Sequence, residues 1–155
     1  MITSTSNGQI KKIQQLLKKS RTRKEEGLFV AEGIKMFREA PPERIEKIYL
    51  GASFAEKGTW REILREKGLD EKAESLTEVV EDKVFKSLSD TVTPQGVLCL
   101  IRIKESTLEE MIPEEKPALL MILEDLQDPG NLGTILRTGE GAGITGVILS
   151  KNSVD

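Results

Sequence analysis

Residues 119–138 read Leu119-Leu120-Met121-Ile122-Leu123-Glu124-Asp125-Leu126-Gln127-Asp128-Pro129-Gly130-Asn131-Leu132-Gly133-Thr134-Ile135-Leu136-Arg137-Thr138. Five consecutive apolar residues predict a strand over 119–123 covered on both faces. A polar loop over 124–130 follows, then a helix over about 131–141 and a second strand over 146–150. Asp128-Pro129-Gly130 supplies a turn, because proline fixes φ and glycine tolerates positive φ. Asn131 is placed to cap the helix by accepting from a first-turn N–H. Gly133 leaves the first turn open to a close approach. Arg137 lies six residues beyond Asn131 on the loop side of the helix, and its planar fork suits a phosphate or carboxylate. A capped turn with a surface arginine accounts for the same residues, and spacing alone leaves both readings open. Gly139-Glu140-Gly141-Ala142-Gly143 falls at a helix end with the wrong spacing for a dinucleotide fingerprint.

Upstream, the proline-flanked, charged stretch 105–117 predicts a linker. Before it, strands and helices alternate over about 9–103 as a layered α/β unit. Ser6-Asn7-Gly8 predicts the cap of a helix over 9–19. Residues 28–31 predict a strand and 34–40 a helix stopped by Pro41-Pro42. Further strands are predicted at 45–50, weakly at 73–77, and at 97–103 after the turn Thr93-Pro94-Gln95-Gly96. Helices are predicted at 54–67, with Trp60, Ile63 and Leu64 inward, and at 79–88.

The chain has 155 residues and a formal net charge of −3, and at 37% hydrophobic and 32% charged it is apolar enough to fold. The charge is unevenly placed. Residues 1–24 hold Lys11, Lys12, Lys18, Lys19, Arg21, Arg23 and Lys24 and no acid, whereas the remainder has an excess of ten acids. A concentrated basic arm on an acidic body suits a polyanion. It also suits a solvated helix that docks by Ile10, Ile13, Leu16 and Leu17, and both can hold at once. One cysteine and no histidine exclude an intramolecular disulfide, a Cys/His zinc cluster and a histidine-based triad, and no metal site is expected. Cys99, inside an apolar strand, reads as a buried structural thiol. No apolar run is long enough to span a bilayer, and the polar start is unlike a secretory signal, so a cytoplasmic protein without membrane contact is expected.

Glu124, Asp128-Pro129-Gly130-Asn131-Leu132-Gly133, Arg137-Thr138 and the strand after Gly143 resemble the first motif of the SpoU (TrmH-like) family, the knotted SPOUT-class RNA ribose 2′-O-methyltransferases. Arg23-Lys24-Glu25-Glu26-Gly27, Phe29-Val30-Ala31-Glu32-Gly33 and Thr93-Pro94-Gln95-Gly96 resemble that family's substrate-binding domain. The resemblance implies an α/β chain with an N-terminal αβα, ribosomal-protein-like RNA-binding domain, followed by the truncated start of a Rossmann-like knotted domain. The implied divisions are a basic arm at 1–24, the RNA-binding domain at 25–104, the linker at 105–117 and the methyltransferase start at 118–155. It implies methyl transfer from S-adenosylmethionine to a ribose 2′-hydroxyl of ribosomal or transfer RNA by a full-length homodimer. Asn131, Arg137 and Glu124 are the implied catalytic residues; Lys18, Arg21, Arg23, Lys24, Thr93 and Gln95 are the expected RNA contacts. A guanidinium is a poor base, so orienting a phosphate is the preferred role for Arg137.

Two parallel strands and one helix cannot cover their own faces. The chain is therefore expected to be the front of a longer protein, inactive alone, with the cofactor pocket in the segment that follows. The rival readings are a non-catalytic RNA-binding module and a nucleotide-binding protein with its phosphate at 130–133. The latter lacks a ribose-binding carboxylate at the required spacing, Asp155 coming late.

Overall fold

The computed structural model describes every residue except Asp90, Val92, Lys116 and Asp155. It divides into two compact units, Met1–Ile103 and Lys104–Asp155.

In the first unit α1 (Gly8–Lys18) and α2 (Ser20–Glu26) precede β1 (Leu28–Glu32), followed by α3 (Ile34–Glu39), β2 (Ile45–Gly51), α4 (Ala52–Glu56), α5 (Thr59–Glu66), α6 (Ala73–Leu76), β3 (Thr77–Val80), α7 (Asp82–Lys86) and β4 (Val97–Arg102). The four strands form one sheet in the order β1-β4-β2-β3. β4 is antiparallel to both its neighbours, and β2 is parallel to β3. The central position of β4 explains its unbroken apolar sequence, because both of its faces are covered. Val97, Cys99 and Ile101 join Phe37, Leu50, Trp60 and Leu64 in one cluster. Leu98 and Leu100 join Ile10, Ile13, Leu16, Tyr49 and Phe85 in the other. Period-two alternation thus sorts one strand between two helical layers, giving the αβα sandwich. Ile45 and Ile48 are three residues apart yet lie in the same cluster. The register shift between Ile45 and Lys47 absorbs the extra residue.

The edge of β3 is covered by the N-terminus. Ile2 is buried and bridges Val80, its N–H donating to Val79 O at 2.8 Å and its carbonyl accepting from Glu81 N at 2.9 Å. Cys99 is buried, and burial pushes its thiol up to about 12.

Several expected elements differ. Residues 20–26, the first five of them in the expected basic arm of 1–24, form α2, which ends at the left-handed Gly27. The single helix expected at 54–67 is two, because Gly58 takes φ 74° between them. Its inner face of Trp60, Ile63 and Leu64 is buried as expected. The segment read as a strand over 73–77 is α6, and β3 begins only at Thr77. Val80 is therefore a strand residue, and the helix expected over 79–88 contracts to α7. Over 73–88 short apolar spacing fits helix and strand alike, and pairing of Thr77–Val80 with β2 decides.

The second unit contains β5 (Leu120–Leu123), α8 (Pro129–Ala142) and β6 (Gly146–Leu149), with β5 parallel to β6. Gly139 is buried, and a Cβ there would stand 2.6 Å from Ile144 Cδ1 and 2.8 Å from Met121 Cε, so glycine lets α8 lie close on the sheet. The expected linker, 105–117, falls within this unit. A 3₁₀ turn at Glu109–Met111 carries Met111 to within 2.7 Å of a Cβ position on Gly146. Lys116 of that stretch lies outside the described residues. The expectation that 119–123 is covered on both faces fails at Ile122, which is 73% exposed. No helix among the described residues is long and apolar enough to cross a membrane.

Candidate functional site

In the second unit the loop between β5 and α8 is held from the far side by the segment after β6. Asp125 N donates to Ser150 Oγ at 2.8 Å, Leu126 N to Ser153 Oγ at 3.3 Å, and Gln127 Nε2 to Asn152 O at 2.7 Å. Val154 N donates to Leu126 O at 2.7 Å. Asp125 sits at φ 49°, so the chain reverses there and needs this support. Sequence reasoning missed Ser150, Asn152 and Ser153. Three small polar residues after a strand are the signal, though a turn of that composition is common.

Asp128, not Asn131, caps α8. Its Oδ1 accepts from Asn131 N at 2.6 Å, with Pro129 in the first turn. The correction has a simple cause: Pro129 fits the first helical position, which moves the cap one residue before it. Asn131 thereby enters the first turn, and its exposed side-chain amide has no hydrogen-bond partner among the described residues.

Arg137 points back along the helix toward that turn, as helical side chains do. Its Nη2 donates to Thr134 Oγ1 at 3.3 Å. Its Nη1 lies 3.4 Å from where a Gly133 Cβ would be, so the open surface at Gly133 is filled by the protein's own guanidinium. The guanidinium is exposed, and one long hydrogen bond leaves most of its donors available. Glu124 is exposed and makes no hydrogen bond among the described residues; the loop is shaped by the serines and Asn152.

In the first unit the basic arm divides into two kinds of cation. Lys18, Arg21 and Lys24 are exposed, with Arg21 paired to Glu25 at 2.7 Å one helical turn away. Arg23 is half-buried instead, its Nη1 donating to Leu16 O at 2.8 Å and closing the C-terminal end of α1. Arg23→Gln is expected to cost about 1–2 kcal/mol, because it removes a charge-assisted bond to a carbonyl at the C-terminal end of α1. Arg21→Gln is expected to cost under about 0.5 kcal/mol. Urea unfolding of the two variants checks this; equal losses would refute the distinction.

Thr93 and Gln95 stand on a different part of the unit, the rim where β1, β2 and β3 end and β4 begins. Gln95 Oε1 accepts from Ile34 N at 2.8 Å, closing the start of α3. Two clefts meet at this side chain. One of about 270 Å³ is lined by Glu32, Gly33, Lys35, Thr91, Thr93 and Gln95. The other, of about 290 Å³, includes Phe54, Lys57, Asp82, Lys86, Pro94 and Gln95. No residue of the basic arm lines either cleft.

The first unit is an αβα sandwich on a mixed sheet, and the second is a strand–loop–helix–strand unit whose helix carries Asn131 and Arg137. Residues 7–99 match the MRM3-like substrate-binding domain. An uncharacterized tRNA/rRNA methyltransferase of Synechocystis sp. is 31% identical over 99% of this chain and 54% of its own length. The human mitochondrial rRNA methyltransferase 3 is 40% identical over 61% of this chain and 23% of its own. The crystal structure of an rRNA methyltransferase from Sinorhizobium meliloti superposes with a TM-score of 0.76 at 28% identity, covering 99% of this chain and 56% of that one. The chain belongs to the SpoU (TrmH-like) family and carries its MRM3-like substrate-binding domain. It spans about half the length of the Synechocystis and Sinorhizobium proteins.

Proposed function

We propose that this chain is the front portion of an S-adenosylmethionine-dependent methyltransferase that modifies a ribose 2′-hydroxyl of ribosomal or transfer RNA. In this reading the first unit holds the RNA and the second supplies the catalytic loop. The protein works as a homodimer in the cytoplasm, as the family resemblance implies. The observation that carries the reading is the α8 entry, where Asn131 offers a free amide and Arg137 folds back to the same end of the helix with donors to spare.

When bound, the cofactor supplies an electrophilic methyl group on a sulfonium. An adenosyl group needs an enclosing pocket. The second unit leaves its sheet open at Ile122 and Leu149, 73% and 41% exposed, so these residues do not enclose one by themselves. Holding the cofactor therefore falls to the further half that the relatives possess.

This chain's own part is positioning. Arg137 grips the phosphate beside the target ribose with two parallel N–H donors, fixing the 2′-oxygen while its charge stabilises the developing alkoxide. Asn131 adds a neutral amide that can donate to one oxygen and accept from another. Asp128 holds the first turn of α8 so that both side chains leave a fixed backbone.

The test is methyl transfer from tritiated S-adenosylmethionine to ribosomal and transfer RNA by a full-length protein carrying this chain, followed by alkaline hydrolysis. A 2′-O-methyl blocks cleavage of its own phosphodiester, so label is expected in alkali-resistant dinucleotides. Label released as mononucleotides would mean base methylation and would refute the reading.

A further inference from the structure

The two clefts that meet at Gln95 share a side-chain donor whose direction is fixed. The backbone N–H of Ile34 can only donate, so the side-chain oxygen of Gln95 must face it. Nε2 must then face away from Ile34, and it has no hydrogen-bond partner among the described residues. The carboxylates lining the clefts are turned onto other groups. Glu32 Oε1 accepts from Ser89 Oγ at 2.5 Å and from Thr91 Oγ1 at 3.3 Å. Asp82 accepts from Ser53 N at 3.1 Å and from the Ser53 hydroxyl. Lys57 and Lys86, on the second cleft, are exposed and have no ion-pair partner among the described residues. Outside residues 1–24 acids outnumber bases by ten, whereas the lining of this cleft has two lysines and one acid, Asp82. The half-buried Pro94 supplies an apolar edge between the lysines and Gln95.

Resting on the RNA-binding reading of the first unit, we propose that this rim is the track of one unpaired RNA strand. Lys57 and Lys86 hold successive phosphates, and Gln95 Nε2 donates to an acceptor on the nucleotide lying over Pro94. The two clefts, of about 290 and 270 Å³, are separate recesses that meet at Gln95, which suits nucleotides taken one at a time. The arm then contributes a diffuse attraction, and the rim contributes the register.

Anisotropy with a fluorescein-labelled RNA hairpin bearing an unpaired loop, and with a fully paired duplex of the same strand, tests the proposal on the 155-residue chain. The chain is expected to prefer the hairpin. Lys57→Gln with Lys86→Gln is expected to lower the log–log salt slope by about 1.4–1.8 and to weaken hairpin binding about tenfold. Gln95→Glu keeps an acceptor for Ile34 N but removes the donor, and is expected to weaken the hairpin about tenfold with an unchanged melting temperature. Unchanged slope and affinity in these variants, with intact hairpin binding by the parent chain, overturn the rim alone. Equal affinity for hairpin and duplex likewise overturns it, leaving a merely basic surface. Absence of binding to either RNA by the parent chain overturns the RNA-binding reading itself.

Discussion

Gly96→Ala is expected to lower the stability of the first unit by about 2–5 kcal/mol. Two effects add at that position. Gly96 has φ 83°, where an L side chain costs about 1–2 kcal/mol. A Cβ built there falls 2.6 Å from Phe54 Cβ and 3.3 Å from Phe54 Cγ, so the buried ring must move, at about 1–3 kcal/mol. Phe54 has little freedom to yield, being packed in the cluster with Leu50 and Trp60. The carbonyl of Gly96 also accepts from Gly51 N at 2.9 Å, tying the rim to the end of β2. For a unit of about a hundred residues the loss corresponds to a fall of about 8–40 °C in Tm. Gly68→Ala is the control, since φ is 68° but nothing lies within 4 Å of the added methyl group. Only the backbone strain remains there, about 1–2 kcal/mol. Calorimetry of the two variants decides, and equal shifts would mean that Phe54 relaxes freely.

That glycine marks how far the sequence could be read. Thr93-Pro94-Gln95-Gly96 is legible as a turn, and the apolar run behind it as a buried strand, because both follow from local residue chemistry. Which strands flank β4 is not legible, since an apolar run covered on both faces reads alike beside any neighbour. The burial of Ile2 was hidden for the same reason: one isoleucine in a polar start becomes a strand cap only when Val79 and Glu81 are in place. At the α8 entry, the residue types and their spacing were visible. The capping role went to Asn131 because asparagine and aspartate are near-equal caps, and the structure assigns it to Asp128 through the proline that follows. The roles of Gln95 and Arg23 depend on partners 61 and seven residues away, which no local pattern reports.

In a full-length protein carrying this chain, Arg137→Ala is expected to reduce kcat/KM for RNA methylation by about 10²–10³, and Arg137→Lys by about 10–10². The structure argues that little of this would be a folding effect. The guanidinium is exposed, and its one hydrogen bond, to Thr134 at 3.3 Å, is long and weak. The lysine variant separates two roles. An ammonium keeps the charge but loses the two-pronged grip, so a phosphate-orienting arginine is replaced poorly at every pH. A proton-accepting arginine behaves otherwise, because lysine, with an ordinary pKa of about 10.4, deprotonates far more readily. The lysine variant would then recover activity, or exceed the parent, as pH approaches about 10. A flat, depressed profile supports the grip on phosphate, a rising one assigns Arg137 to the proton, and full activity at neutral pH removes it from both. Asn131→Asp sharpens the result, because it places a negative charge in the first turn of α8, at the end of the helix to which Arg137 folds back. Repulsion should then raise KM for RNA more than it lowers kcat, whereas a residue that merely shapes the loop would lose neither.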